Sequence, residues 1–364
     1  MTISNVEVMV YDYPTNQPEA DGTIAWDATT VVVVRLSDGD HRGLGWTYGA
    51  AAARGVIVDL LAPHLSGADT NEIPRIAEDM ARACRNVGRP GIAACAISAV
   101  DIALWDLRAR QLELPLTELF GWRRDDVPVY GSGGFTTYDD ATLTKQLSLW
   151  VDEWQIPRVK IKIAESWGER TDRDMSRVVL ARETIGDADL FVDANGGYSV
   201  KQAIQLGQFV RDEADVQWFE EPVSSDDLTG LRHVRDHFDG EVAAGEYGYT
   251  LDYFARMIGA RAVDCVQADV TRCGGYSVWL KVAALAEANH LDLSAHCAPN
   301  LHAPAAAAIN NLRHIEYFHD HHRIETTLFE GSLSPHGGVM RPDRSRPGHG
   351  LELRDDVAAA FRTS

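Results

Sequence analysis

Cysteine is scarce in this 364-residue chain. The five present (Cys84, Cys95, Cys265, Cys273, Cys297) are scattered and have no CxxC spacing. That argues against both a disulfide framework and a zinc site, and Cys297 reads as a small buried hydrophobe. No apolar run reaches 18 residues, so no membrane-spanning helix is expected. Met1-Thr-Ile-Ser-Asn has neither the basic stretch nor the apolar segment of a secretory leader, and a cytoplasmic location is expected. Positive charge is in deficit: 34 Lys and Arg against 54 Asp and Glu give a net charge of −20. A nucleic-acid partner is therefore not expected, and an anionic substrate must be drawn in by local cations or a metal. The chain also lacks an internal repeat and a GxGxxG turn. The stretch Gly131-Ser-Gly-Gly134 instead reads as a tight strand end whose backbone approaches a ligand.

What is present is ordinary for a globular enzyme: 45% apolar and 24% charged residues, and length for a large barrel plus a second domain. Residues 1–122 read as a small α+β cap. Its strands are Val6–Tyr13, Thr29–Leu36 and Gly43–Thr47, and its helices are near Gly55–Leu65, Ile73–Arg85 and Ile92–Leu112. Between the first two strands, Pro14–Asp27 is rich in Pro, Gly and Asn and reads as a long loop serving as a lid. Residues 123–330 change rhythm. Eight short apolar strands, from Val127–Ser132 to His314–Phe318, alternate with amphipathic helices. This is an α/β pattern, that of a parallel TIM-type barrel, with a doubly wound sheet as the competitor. The tail after Phe318 has little periodicity, and residues 331–364 are expected to return to the cap.

The chemistry lies at the strand ends. In Arg158-Val-Lys-Ile-Lys-Ile163, apolar residues alternate with Lys160 and Lys162, so both ammonium groups share one face. A solvent-facing strand would carry the same pattern, but the strands that follow end in Asp193, Glu220 and Glu246, one strand-plus-helix unit apart. In a parallel barrel these carboxylates fall on neighbouring strands at the carboxyl face, and three hard oxygen donors suit Mg²⁺. The next two strands end in Asp269 and His296, where the carboxylate would orient the ring and raise its basicity. Glu316 lies in the last strand. Lysines on one flank, acids in the middle and a histidine on the other would put a bound carboxylate's α-carbon between two bases. Lys160 beside Lys162 would lower its neighbour's pKa by like charge.

The order Lys-x-Lys, Asp, Glu, Glu, Asp, His, Glu resembles the enolase superfamily, and within it the mandelate racemase subgroup. So do Ala96–Asp106, Phe219-Glu-Glu-Pro222, Asp269-Val-Thr-Arg-Cys-Gly-Gly275 and Pro347–Glu352. The resemblance covers nearly the whole chain and implies a modified (β/α)7β barrel with an N-terminal capping domain. It implies Asp193, Glu220 and Glu246 as Mg²⁺ ligands and Lys162 as the base on one face. Lys160 would be its electrostatic partner and a contact to the substrate carboxylate. His296, oriented by Asp269, would act on the other face, and a protonated Glu316 would donate to the substrate carboxylate. The Mg²⁺-with-Lys-or-His scheme is established for that superfamily and is taken over as such.

The resemblance favours dehydration of an acid sugar (an aldonate) to a 2-keto-3-deoxy acid; the alternative is racemisation or epimerisation of a 2-hydroxy acid. Cycloisomerases of the muconate type carry a lysine where Asp269 stands here, and rank lower together with the dipeptide epimerases. A non-catalytic barrel would require a lost ligand or base, and none is lost. The lid has no Lys or Arg, which suits a monoacid better than a diacid, while Trp26, Trp46 and Tyr48 would suit an apolar wall. Asn195 and Glu221 are candidate supporting residues, Glu221 pointing away unless its strand bulges. The run His319-Asp-His-His322 reads equally as a substrate loop or a surface. The expected partner is a small carboxylate substrate, and a homo-oligomer is expected by analogy.

Overall fold

In the computed structural model, which describes residues 1–364, three antiparallel strands form the first sheet: β1 (Asn5–Ala20), β2 (Ala25–Ser37) and β3 (Arg42–Tyr48). The run Val31–Val34 in β2 is buried on both faces. Val32 and Val34 pack with the cap helices, whereas Val31 and Val33 join the core shared with the barrel. That double burial explains an unbroken apolar run where a one-sided strand would alternate. The helix Ile92–Gln111 lies across this sheet with most of its residues buried.

Eight parallel strands follow: β4 (Val127–Gly133), β5 (Arg158–Lys162), β6 (Asp189–Asp193), β7 (Val216–Glu220), β8 (Glu241–Ala244), β9 (Cys265–Ala268), β10 (Asp292–Ala295) and β11 (Leu312–Phe318). Each pairs with the next, and β11 returns to β4 through Ile315↔Val129 to Phe318↔Ser132, closing the barrel. Helices fill the crossovers, as parallel strands require. Alternate residues point inward. Tyr130, Phe191, Trp218, Ala243 and Cys265 make an apolar floor, and the functional side chains stand above it.

Three expectations change. The lid is a strand pair and not a loop: β1 and β2 continue to Ala20 and Ala25, with the pairing broken only between Pro14 and Glu19, where Pro14 and Pro18 lack donors. The Gly131–Gly134 stretch does not line the cavity between barrel and cap and is packed from behind; a Cβ at Gly131 would strike Trp150, and one at Gly133 would strike Gln146. The segment after β11 begins with a helix, His319–Leu328, before short strands return to the cap. There Thr363 N–H donates to Val10 O at 2.8 Å, and His349 N–H donates to Asp106 Oδ1 at 2.9 Å. No helix is long and apolar enough to cross a membrane.

Candidate active site

Asp193 and Glu220 are register partners on β6 and β7, and Lys162 on β5 is the partner of Asp193. Glu246 follows β8 by two residues. Carboxylate oxygens of Asp193, Glu220 and Glu246 lie within 4.8 Å of one another, all buried. Asp193 Oδ2 accepts from Lys162 Nζ at 2.5 Å and lies 3.5 Å from Lys160 Nζ. Glu220 Oε2 accepts from Trp218 Nε1 at 3.0 Å and Gln267 Nε2 at 2.8 Å, while Oε1 takes Lys160. Glu246 Oε2 is buried, and the nearest donor facing it is His296 Nε2 at 3.2 Å. Three buried carboxylates converging against two lysines fit a divalent cation such as Mg²⁺.

The lysines differ in depth. Lys160 is fully buried, held by Glu220 and by Glu316 Oε1 at 2.8 Å, and does not border the cavity. Lys162 does border the cavity. Burial and Lys160 disfavour its charge, but Asp193, Glu246 and Glu316 outweigh them and raise its pKa. The like-charge effect expected from Lys160 is present and is outweighed by these carboxylates.

On the opposite side, His296 Nδ1 donates to Asp269 Oδ2 at 2.9 Å. Burial would raise the Asp269 carboxyl, but His296 and Arg272 hold it at about 2. Burial likewise disfavours imidazolium, yet the Cys297 sulfur, Glu246, Glu316 and the Asp269 hydrogen bond raise the His296 pKa well above the ordinary value. Its Nε2 lies 3.2 Å from Glu246 Oε2 and 3.3 Å from Cys297 Sγ. Cys297 is buried, as expected of a small hydrophobe, but it borders the cavity. Burial would raise the Glu316 pKa, but Lys160, His296 and Lys162 hold it below the usual carboxylate range. Its Oε2 accepts Cys297 N–H at 2.8 Å, and its Oε1 faces Lys160.

A cavity of about 300 Å³, a size suited to a small molecule, lies between barrel and cap. Lys162, Glu246 and His296 border it, with Asn195, Arg272, Tyr247 and Phe318. Trp26 and Tyr48 border it as anticipated, but Trp46 is stacked on Phe329, 4.2 Å between centroids, away from it. Asp21, Ile24, Thr29 and Thr30 of the hairpin complete the roof. The tip is docked: Thr136 N–H and Oγ1 donate to Ala20 O and Asp21 O, and Trp167 N–H donates to Gly22 O. Of the histidine run only His321, stacked on Tyr48, reaches the cavity, together with Asp320. Glu221 is buried, and its left-handed backbone (φ 39°) follows the end of β7. Burial, Glu246, Asp193 and Glu220 raise its pKa well above normal. No spacing rule in the sequence marks Asp21, Asp320 or Tyr247, because cap and barrel contribute them separately.

The chain's matches to known proteins agree with this architecture. Residues 5–121 match the mandelate racemase / muconate lactonizing enzyme N-terminal domain, and residues 142–357 match the enolase C-terminal domain-like family. A solved mandelate racemase/muconate lactonizing enzyme-like protein from Rubrobacter xylanophilus superposes with a TM-score of 0.96 at 45% identity, covering 100% of both chains. The 3,6-anhydro-alpha-L-galactonate cycloisomerase of Streptomyces coelicolor is 36% identical over 333 residues, 89% of each chain. L-talarate/galactarate dehydratase from Salmonella typhimurium, solved with Mg and L-lyxarohydroxamate, has a TM-score of 0.90 at 28% identity, covering 100% of this chain and 93% of that one. Relatives of this kind carry bound Mg, and the superfamily is Mg²⁺-dependent. The chain belongs to the enolase superfamily of enzymes, in its mandelate racemase / muconate lactonizing enzyme branch.

Proposed function

We propose that the enzyme removes the α-proton of a sugar acid and expels the oxygen on its β-carbon, giving a 2-keto-3-deoxy acid. The observation that carries this reading is the shared cavity: Lys162 and His296, on β5 and just past β10, both border it together with Glu246. Bound by Asp193, Glu220 and Glu246, Mg²⁺ would neutralise these carboxylates and stabilise the enediolate that any protein base alone would form too slowly. With Asp193 and Glu246 engaged by the cation, they would no longer hold the Lys162 proton; Lys162 Nζ would then take the α-proton as the neutral amine, and the C–H electron pair moves into the substrate carboxylate. His296, protonated and steadied by Asp269, gives its Nε2 proton to the departing β-hydroxyl. The C–O bond breaks, water leaves, and the resulting enol becomes the 2-keto acid.

A second reading is favoured by the 36% identity to an anhydro-sugar-acid cycloisomerase. If the β-oxygen is a ring ether, the same proton transfers open the ring and nothing is lost. Racemisation of a 2-hydroxy acid uses the same two groups without expelling an oxygen. A panel of acid sugars and their anhydro forms, assayed for 2-keto acids beside aromatic 2-hydroxy acids followed by optical rotation, separates the three. Response in the optical-rotation assay alone would overturn the elimination reading.

A further inference from the structure

The end of the cavity roofed by the hairpin is acidic. Asp21 and Asp320 border it, with the neutral Trp26, Thr29 and Thr30 between. The only Lys or Arg side chains bordering the cavity are Lys162 and Arg272, and both are committed. Lys162 is paired with Asp193; Arg272 Nη1 donates to Glu246 Oε1 at 3.2 Å, and its Nε lies 3.6 Å from Asp269. His321 offers no charge either. Its Nδ1 accepts Ala298 N–H at 3.1 Å, and burial, which dominates, keeps the ring neutral.

The two carboxylates differ in acceptor capacity. Asp21 Oδ1 accepts from Thr23 N–H, Thr23 Oγ1 and Ile24 N–H, closing the hairpin tip, while Oδ2 has no hydrogen-bond partner in the protein. Asp320 accepts from Trp26 Nε1 at 3.0 Å, Thr29 Oγ1 at 3.3 Å and Arg323 Nη1 at 3.0 Å. An ionised carboxylate offers about four acceptor positions; three of these are taken, and the buried Glu19 carboxyl also faces Asp320, so the open acceptor at this end is Asp21 Oδ2. Arg323 offsets the charge of Asp320, but it does not border the cavity; its other nitrogen donates to Pro14 O and Asn16 Oδ1. Sugar hydroxyls are donors that such an acceptor binds. A second substrate carboxylate is an acceptor only, and would meet like charge with no free cation to receive it.

We propose that Asp21 and Asp320 make this a monoacid site: Asp21 takes the hydroxyls of the substrate's carbon chain, and both exclude a second carboxylate. The inference rests on the sugar-acid reading above and narrows it to aldonates and their anhydro forms. It sets this chain apart from its galactarate-named relative, since galactarate is a diacid. The test uses C5 and C6 aldonates, each matched with the aldarate of the same configuration, assayed with Mg²⁺ for 2-keto acid formation and, by calorimetry, for binding. The expected result is a preference for the monoacid of about a hundredfold in kcat/KM. Asp21→Asn should shrink that preference by about tenfold, or about 1.4 kcal/mol, through KM. Asp320→Asn, which keeps one carbonyl acceptor for the hairpin, should do the same. Equal or better use of diacids overturns the proposal, as does an unchanged ratio in both variants. Failure of both acid classes to bind or turn over would instead defeat the sugar-acid reading itself.

Discussion

His296 donates its Nδ1–H to Asp269 Oδ2 in a hydrogen bond of 2.9 Å, so proton transfer to or from substrate falls to Nε2. Asp269 is itself fixed by Thr271, whose N–H and Oγ1 both donate to Oδ1 at 2.7 Å. In Asp269→Asn the ring loses a charged partner that raises its pKa. Turnover dependent on His296 should fall about 10²- to 10⁴-fold, and the pH–rate limb belonging to the histidine should move to lower pH. An unmoved limb would mean that Asp269 has only a packing role.

The hairpin tip tests the lid. A Cβ at Gly22 would lie 2.6 Å from Ile163 O and 2.8 Å from Ala194 O, both backbone atoms at the barrel mouth. Gly22→Ala should therefore lift the tip, raising KM by about tenfold, or about 1.4 kcal/mol, with circular dichroism unchanged. An unaltered KM would show that the docked tip does not shape the site.

Behind the roof, Glu19 is fully buried and faces Asp320. Burial, and then Asp320, push its pKa up to about 9 from the ordinary 4.5. The folded state thus binds a proton that the unfolded state releases, so stability attributable to Glu19 falls as pH rises from about 4.5 to about 9, by at most about 1.4 kcal/mol per pH unit. Glu19→Gln removes that slope. Its melting temperature relative to the unmodified protein should climb across this window, and a constant difference would contradict the assignment.

Much of this was legible in the sequence, for a geometric reason. Strand-plus-helix units of similar length put Asp193, Glu220, Glu246, Asp269 and His296 at successive strand ends, so spacing alone carried three-dimensional information. The helix His319–Leu328 escaped because its buried positions include Asp320, His321 and Glu325, which give a helical stripe without apolar periodicity. The hairpin escaped because Pro14, Pro18 and Gly22 read as loop, while its order comes from contacts with Thr136 and Trp167 far along the chain. The ionisation of Glu316 depends on Lys160, two strands away around the closed barrel. No local pattern encodes that pairing.

The three acids should report the cation directly. Thermal unfolding with Mg²⁺ at 100 times its dissociation constant should gain about 2.7 kcal/mol of stability. Glu246→Gln, which removes the charge of one of the three converging carboxylates, should lose most of that gain. An equal gain in the variant would move the metal elsewhere.

The central claim is that Lys162 works on the α-proton and His296 on the departing β-oxygen of one substrate. Exchange of the α-hydrogen in D₂O with Mg²⁺, read by nuclear magnetic resonance on a turned-over acid beside 2-keto acid formation, tests it most directly. Lys162→Ala is predicted to lose both exchange and product, whereas His296→Asn keeps exchange and loses product, each loss being about 10²- to 10⁴-fold. Undiminished exchange in Lys162→Ala, or undiminished product formation in His296→Asn, would contradict it.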